Sequence, residues 1–388
     1  MNLNKHIKTL AIAIGFISTA AFAEDATVVM PNCLEQAMTV KHAVTAYSKK
    51  LALVSLDENK LDQLALDAHK THCGGFINVS HKKTAQLNPG HFLQEFHQST
   101  LNKLQKKNYK ISHQDKVENL IKEVEPKNIW HTLEGLTSFD DRFSRGDNGR
   151  YAAFWIKNQF ESLVSDAKRD DVETFILETG GRYKQPSVVT LVGKDLKGPA
   201  VVLGAHMDTL EYMKPGADDD GSGTSSLMEA ARVILNAEKL DSPVYFIWYS
   251  AEEMGLVGSQ RVVEHFLAKK IKVKSVVQFD MTGYRYHGEE KMWVLRDNVD
   301  LDLSNYLESL IKTYIGVDVG RLECGYACSD HASWNKEGFS AAAPFESDFY
   351  HMNPYIHTGN DTMEHVSLAH MANYAKLAVA FAVELASK

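Results

Sequence analysis

The strongest constraint on the fold is an alternation, from about Ser112 to the C-terminus, between short apolar runs and amphipathic stretches. The apolar runs have strand length and little polar content, which is typical of strands buried on both faces. They are Ser187–Gly193, Ala200–His206, Val244–Ser250, Ser275–Asp280 and Phe339–Phe345. The pattern predicts an α/β fold with a mixed, mainly parallel central sheet and helices on both faces.

The amphipathic stretches between these runs predict the covering helices. They are Tyr151–Ser165, Gly223–Ala237, Gly258–Lys269, Leu301–Tyr314 and Leu368–Ala386. A chain of 388 residues accommodates such a domain together with a smaller unit.

The N-terminus has the three parts of a secretory signal: Lys5 and Lys8, an apolar stretch from Leu10 to Ala21, and the small-residue site Ala21-Phe22-Ala23. A membrane anchor is the alternative, but the stretch is shorter than the roughly 20 residues that span a bilayer. We therefore expect residues 1–23 to be a cleaved signal peptide, the protein to be secreted or periplasmic, and no membrane association.

Residues 24–110 are rich in Lys, His, Gln and Asn, show helical patterning and contain no catalytic constellation. Lys103–Lys110 is a Lys-rich stretch that we expect to be exposed and easily cut. We interpret 24–110 as a mainly helical α+β propeptide and 111–388 as the catalytic domain. A permanent accessory domain is the alternative.

The chain contains four cysteines, an even number that favours disulfides in an exported protein. Of the three pairings, we expect Cys33 with Cys73 and Cys324 with Cys328, because each pair falls within one of the two units. Reduced cysteines are the alternative. A net charge of −8 and the lack of a basic, aromatic-rich run argue against nucleic acid as a partner.

Acids and imidazoles follow the predicted strands at the edge where α/β folds collect ligands. They are His206 and Asp208, Asp218 to Asp220, Glu252 and Glu253, Asp280, and His357 in a later loop. Each alone is a common cap or turn residue. Together they need a cation to offset their repulsion, and a mixed His and carboxylate set suits zinc, although manganese or cobalt has similar preferences.

Seven motifs occur in an order that resembles the M28-type zinc aminopeptidases, and most closely the leucyl aminopeptidases secreted by Vibrio-like bacteria. The motifs are GAHMDT, PGADDDGSG, SAEEMGLVGSQ, FDMTGY, ECGYACSDHASW, PFES and NPYIHTGNDT. The resemblance covers about Glu118 to the C-terminus. It implies a zinc exopeptidase fold, two zinc ions, a monomer, and removal of a hydrophobic N-terminal residue such as Leu from peptides with a free N-terminus.

The resemblance also implies roles for individual residues. Asp219 bridges the two metals, His206 and Asp280 complete one site, and Glu253 and His357 complete the other. Asp208 orients the His206 ring. Tyr326 lies near the reacting carbonyl. The pocket for the N-terminal residue is lined by Met281, Phe345, Phe349 and Ile356, with Ala343 and Met352 where close relatives carry an aliphatic and an aromatic residue.

Glu252 is the carboxylate that this arrangement leaves without a metal. Amide hydrolysis at neutral pH needs an activated water, and a base must accept the proton of that water. We therefore predict that Glu252 is the general base and then the acid. A carboxypeptidase or a glutaminyl cyclase on the same fold is the alternative enzyme, and a binding domain without metals is the alternative outside catalysis.

Overall fold

In a computed structural model, the described residues are 25–71, 73–99, 107–212 and 215–388. The predicted signal peptide, residues 1–23, lies outside them, as does the first half of the predicted Lys-rich stretch, residues 103–106. Thirteen strands are formed by these described residues: β1 Asp25–Pro31, β2 His42–Tyr47, β3 Leu51–Asp57, β4 Ile77–Asn78, β5 Val172–Leu177, β6 Ser187–Val192, β7 Ala200–His206, β8 Val244–Tyr249, β9 Val273–Gln278, β10 Lys291–Leu295, β11 Asp318–Leu322, β12 Ala341–Ala342 and β13 Pro344–Phe345.

The helices of the described residues are interleaved with these strands. They are α1 Asn32–Ala37, α2 Leu61–Thr71, α3 Lys83–Leu87, α4 Pro89–Ser99, α5 Gln114–Leu120, α6 Pro126–Thr137, α7 Asp147–Asp166, α8 Gly223–Asn236, α9 Val257–Lys269, α10 Leu301–Leu310, α11 His331–Lys336 and α12 Leu368–Ala386. Side chains cap two of them: the Asp300 carboxylate accepts from the first turn of α10, and Ser367 Oγ accepts from His370 N in α12.

The central sheet has six strands in the order β12-β9-β7-β8-β6-β5. The pairs β12/β9, β9/β7 and β7/β8 are parallel, and β8/β6 and β6/β5 are antiparallel. The predicted mixed, mainly parallel sheet is therefore confirmed. Because β7, β8 and β9 are adjacent and parallel, their carboxyl ends meet at one edge.

Both faces of this sheet are covered by helices, as predicted. On β7, Val201, Leu203 and Ala205 face the large core that contains residues of α8 and α12. Val202 faces the opposite core, which contains residues of α9 and Trp334 of α11. Side chains of a strand point alternately to the two faces of the sheet, and here both faces are covered. Every residue of β7 is therefore buried, which explains its uninterrupted apolar sequence.

Some elements differ from the sequence-based expectation. The segment Phe339–Phe345 is divided between β12 in the central sheet and β13 in a second sheet of order β11-β10-β13. Strands β5, β10 and β11 were not predicted. Most residues of β5 and β11 are partly buried or exposed, so these two strands lack the continuous apolar runs of the central strands, whereas β10 is mostly buried but only five residues long.

Residues 25–99 form a unit with a four-stranded antiparallel sheet of order β2-β3-β1-β4 and the helices α1 to α4. We call this unit the N-terminal segment and the residues from 107 onward the body. One apolar core is shared between them: Leu64, Ala68 and Phe76 of the segment belong to the same cluster as Ala251 and Met254 of the body. The segment is thus packed directly on the loop that follows β8.

The predicted cysteine pairing is confirmed, with disulfides between Cys33 and Cys73 and between Cys324 and Cys328. The first lies within the N-terminal segment and the second within the body. No helix among the described residues combines the length and the apolar character required to cross a bilayer.

Candidate metal centre

The acids and imidazoles singled out from the sequence meet at the carboxyl edge of β7, β8 and β9. His206 is the last residue of β7, whereas Glu252 and Glu253 follow β8 and Asp280 follows β9. The backbone turns sharply at this edge: Ala251, Met281 and His357 all have φ between +50° and +60° without being glycine. Such conformations cost free energy and are concentrated at functional sites.

Asp219 lies between the two histidines. Its Oδ1 is 3.0 Å from His206 Nε2, and its Oδ2 is 3.1 Å from His357 Nε2. Each histidine also approaches a second carboxylate. Asp280 Oδ1 is 3.6 Å from His206 Nε2, and Glu253 Oε2 is 3.0 Å from His357 Nε2.

The electrostatics of this cluster favour positive charge. Burial works against a charged His206, yet the neighbouring carboxylates, Asp280 foremost, raise its pKa well above the ordinary value. Burial likewise opposes a charged His357, but Glu253 and then Asp219 raise its pKa to about 10. Two imidazoles surrounded by buried carboxylates fit the donor set of a divalent cation, and zinc accepts these ligands.

Asp220 requires a separate assignment, because its carboxylate lies within 4.8 Å of ligand atoms of His206 and Asp280, as a metal ligand would. Its oxygens already accept backbone hydrogen bonds, however. Oδ1 accepts from Gly223 N at 2.8 Å and Met281 N at 3.1 Å, and Oδ2 accepts from His206 N at 3.2 Å. We therefore regard Asp220 as a support for the backbone and Asp219 as the residue whose oxygens face both histidines.

Asp208 is buried beside the cluster, 3.5 Å from His206 Nδ1. That distance is long for a hydrogen bond. Its carboxylate accepts instead from the backbone of the next loop, with Oδ1 bound by Glu252 N at 3.0 Å and Oδ2 by Glu253 N at 3.2 Å. Asp208 thus fixes the turn that carries both glutamates, a contact that the sequence did not reveal.

Glu252 lines the cavity at this edge but belongs to neither of the two ligand groups found among the described residues. Burial raises the pKa of its carboxyl well above the ordinary value; His206 opposes this effect, and Asp280 adds to it. A raised pKa suits a carboxyl group that has to accept a proton and then donate it.

Two further residues that the sequence did not single out hold the loop of Asp219. The Asp361 carboxylate accepts from the backbone N–H groups of Asp218 and Asp219, both at 3.0 Å. Asn353 Nδ2 donates to Asp218 Oδ2 at 2.9 Å. Both are buried, and both belong to the motif region around His357, which is the signal that pointed to them.

Arg142, also missed from the sequence, is fully buried beneath the loop that follows β7. Its Nε donates to Met207 O at 2.8 Å, and one Nη donates to Gly216 O at 2.9 Å. Its backbone N–H donates to Thr209 Oγ1 at 2.9 Å. The guanidinium therefore ties both ends of this loop together, just before Asp219.

A cavity extends from the carboxylates to an apolar wall. All five predicted substrate residues line it, namely Met281, Tyr326, Phe345, Phe349 and Ile356. Met352 lines it as well, whereas Ala343 is buried in an adjacent cluster with Leu295 and Leu322. The body thus provides an apolar pocket beside the charged centre, the usual composition of a site for a small or extended organic ligand.

The N-terminal segment closes part of this cavity. Ala65, Ala68 and His69 of α2 line it, and so do Gly75 and Phe76. Gly74 and Gly75 lie so close to the ring of Tyr326 that a Cβ on either would be 2.7 Å from a ring carbon. Glycine is therefore required at this contact, and the segment occupies space directly in front of the candidate centre.

Comparisons with known proteins are consistent with this site. Residues 187–382 match the family model described as Peptidase family M28. The chain is 36% identical over 284 residues to "Leucine aminopeptidase 1" of Sclerotinia sclerotiorum, covering 69% of this chain and 73% of that protein. It is 38% identical to the protein of the same name from Phaeosphaeria nodorum, covering 69% and 72%.

Solved structures are similar over nearly the whole chain. LapA aminopeptidase of Legionella pneumophila is 48% identical with a TM-score of 0.90, covering 94% of this chain and 99% of that chain. LapB from the same organism is 39% identical with a TM-score of 0.87, covering 94% and 100%. Both alignments include the N-terminal segment.

Proposed function

Because this chain belongs to peptidase family M28, we propose that it is an exported aminopeptidase that uses two zinc ions to remove a hydrophobic N-terminal residue, such as Leu, from peptides. The family and the leucine aminopeptidase relatives support a metal-dependent aminopeptidase. The number of ions, the export and the preferred residue are our proposals.

The observation that carries the proposal is the position of Asp219 between His206 and His357, at 3.0 and 3.1 Å. One carboxylate facing two imidazoles supports two adjacent metal positions. His206, Asp219 and Asp280 would hold one zinc, and Asp219, Glu253 and His357 would hold the other. Zinc in such a pair supplies a Lewis acid and lowers the pKa of water.

The remaining chemistry falls to the chain's own residues. Glu252 accepts a proton from the attacking water and passes it to the leaving amine. The turn that holds Glu252 is fixed by Asp208, so that the carboxylate stays in the cavity. Met281, Phe345, Phe349 and Ile356 exclude water around the substrate side chain, and Tyr326 lines the same cavity.

The N-terminal segment supports the further proposal that residues 24–110 are a propeptide. His69 and Phe76 line the same cavity as Glu252, so the segment competes with the substrate for space. After residues 1–23 are removed, a cut in the Lys-rich stretch up to Lys110 would release the segment.

The test uses the purified chain, cut between the two units, and a panel of aminoacyl chromogenic amides. We expect hydrolysis of the Leu amide, loss of hydrolysis on chelation and recovery with zinc. The N-acetylated Leu amide is the matched control and is expected to remain intact. Hydrolysis of this blocked amide, or full activity in the chelated protein, would contradict the proposed function.

A further inference from the structure

Gly75 and Phe76 of the N-terminal segment line the cavity of the candidate site, and the chain continues from them into a short strand. Gly74 and Gly75 pass over the ring of Tyr326, Phe76 follows, and Ile77–Asn78 forms strand β4. The run therefore goes from residues that line the cavity of the proposed metal ligands to a strand that contacts the loop following β8. A peptide whose first residue is held at the centre must likewise extend out of this cavity.

At the far end of this run, two contacts with the body are made through the main-chain atoms of Asn78, beside one from its side chain to Tyr183 Oη at 3.3 Å. Asn78 N donates to Gly255 O at 2.9 Å, and Gln260 Nε2 donates to Asn78 O at 3.0 Å. The body thus satisfies both main-chain polar groups of one residue in an extended chain. Such contacts do not depend on the side chain at that position.

Gly255 is suited to this contact. Its φ is +91°, and a Cβ at this position would lie 2.5 Å from Asn78 N. Glycine therefore allows both the conformation and the close approach of another backbone. Gly255 also lies two residues beyond Glu253, and its N–H donates to Glu252 O at 2.8 Å, so the turn that carries both glutamates also presents the Gly255 carbonyl.

We propose that Gly255 O and the Gln260 carboxamide form a docking edge for the main chain of peptide substrates, downstream of the scissile bond. In the full-length chain, the segment's own Phe76–Asn78 run occupies this edge. The ligand is an extended peptide backbone of any sequence. This inference rests on the proposed aminopeptidase function and adds to it a subsite that aminoacyl amides do not reach.

A peptide is favoured over other occupants by the chemistry of the edge. One acceptor, Gly255 O, and one donor, Gln260 Nε2, match the alternating N–H and C=O groups of a strand. Met254 belongs to the shared core and Leu256 is buried, so the side chains that flank Gly255 are apolar. The cavity that contains Glu252 also reaches Gly255, which makes the path continuous.

The test compares substrates of increasing length on the body, separated from the segment after the full chain has been folded and cut between the units. The substrates are Leu chromogenic amide, Leu-Ala, Leu-Ala-Ala and Leu-Ala-Ala-Ala. We expect kcat/KM to rise with length. Gln260→Met should lower the ratio of tetrapeptide to amide kcat/KM by about fivefold to tenfold, which corresponds to one lost hydrogen bond. Gln159→Met, on α7 and outside the cavity, is the matched control.

A second measurement does not rely on a protein variant. Tetrapeptides methylated at successive downstream amide nitrogens lack one N–H donor each. One position should lose about fivefold to tenfold in kcat/KM with the wild-type chain, because Gly255 O is then left without its N–H donor. Absence of length dependence, or methylation losses that are the same at every downstream position, would overturn the docking edge. If no Leu amide is hydrolysed by the zinc-loaded protein, the proposed function fails instead.

Discussion

The ring of His69, in the N-terminal segment, lies with its centroid 5.5 Å from that of His357, a proposed metal ligand in the body. The two residues are 288 positions apart in sequence. Their contact places α2 of the segment in the space through which a substrate would approach the centre. The activity of the chain is therefore expected to depend on whether this segment is docked.

Cutting the chain between the two units is the first prediction. The cut protein should hydrolyse Leu chromogenic amide at least about tenfold faster than the intact chain. The reason is that molecules whose cavity is free of the segment are then no longer a minor population. Rates are measured before and after cleavage, with the fragments separated by gel filtration. Equal rates for the intact and separated forms would remove any inhibitory role of the segment.

Replacing the proposed base is the second prediction. Glu252→Gln should lower kcat by about 100-fold to 10,000-fold because no carboxylate remains to transfer the proton. Zinc content, measured by atomic absorption, should remain at the wild-type level. The adjacent Glu253→Gln provides the contrast, since it should lose zinc. If Glu252→Gln loses zinc as well, the division of roles between these two neighbours is wrong.

Asp361 is expected to act on the metal through the backbone. Asp361→Ala leaves the N–H groups of Asp218 and Asp219 without their acceptor, so zinc affinity should fall by about tenfold to 100-fold. Asp361→Asn keeps one acceptor oxygen, so its loss of zinc affinity should be smaller. Competition with a chelator measures the affinity. A merely structural role would lower the melting temperature of the zinc-free protein while leaving zinc affinity unchanged.

Glu264 of α9 is expected to hold the segment in place. Its carboxylate is paired with His81 and Lys82 of the segment and with Arg261 of its own helix. Because these pairs are partly exposed, Glu264→Gln should weaken retention of the cut segment only about twofold to fivefold. Gel filtration at several dilutions measures retention. Glu161→Gln, which removes the Lys157 pair on α7, should have no effect.

The same carboxylate makes docking sensitive to acid. His81, and then Lys82, hold the pKa of Glu264 well below its ordinary value in the docked state. Because the pKa is lower in the docked state, the contribution of Glu264 to the free energy of docking is complete at neutral pH. It is lost as the pH falls below about 4. Retention of the cut segment by Glu264→Gln should vary less with pH in that range than retention by the wild-type chain.

The sequence predicted the elements whose pattern is local. β7 was predicted with its observed bounds because burial on both faces makes all seven residues apolar or site-forming. His206, Glu253 and Asp280 were singled out because they end or follow such strands, whereas Asp219 and His357 lie in loops and received their roles from the resemblance to the M28 family. The positive φ values of Ala251, Met281 and His357 have no such signal, since none of these residues is glycine.

Contacts between distant parts of the chain could not be predicted from local sequence patterns. Arg142 binds backbone carbonyl groups, and carbonyl groups carry no sequence signature. Asp361 likewise binds backbone N–H groups more than 140 positions away. Nor does any local pattern in α2 indicate that His69 faces His357. These features depend on how the elements pack, and that packing is determined by the whole sequence and not by any short stretch of it.

The location of the two disulfides determines what one cleavage achieves. Each bridge closes within its own unit, so no covalent bond other than the main chain joins residues 25–99 to the body. A single cut leaves two separate molecules whose association follows mass action. If the chain is exported as proposed, dilution makes release irreversible in practice. A bridge from Cys73 to Cys324 or Cys328, on either side of Tyr326, would have tethered the segment permanently.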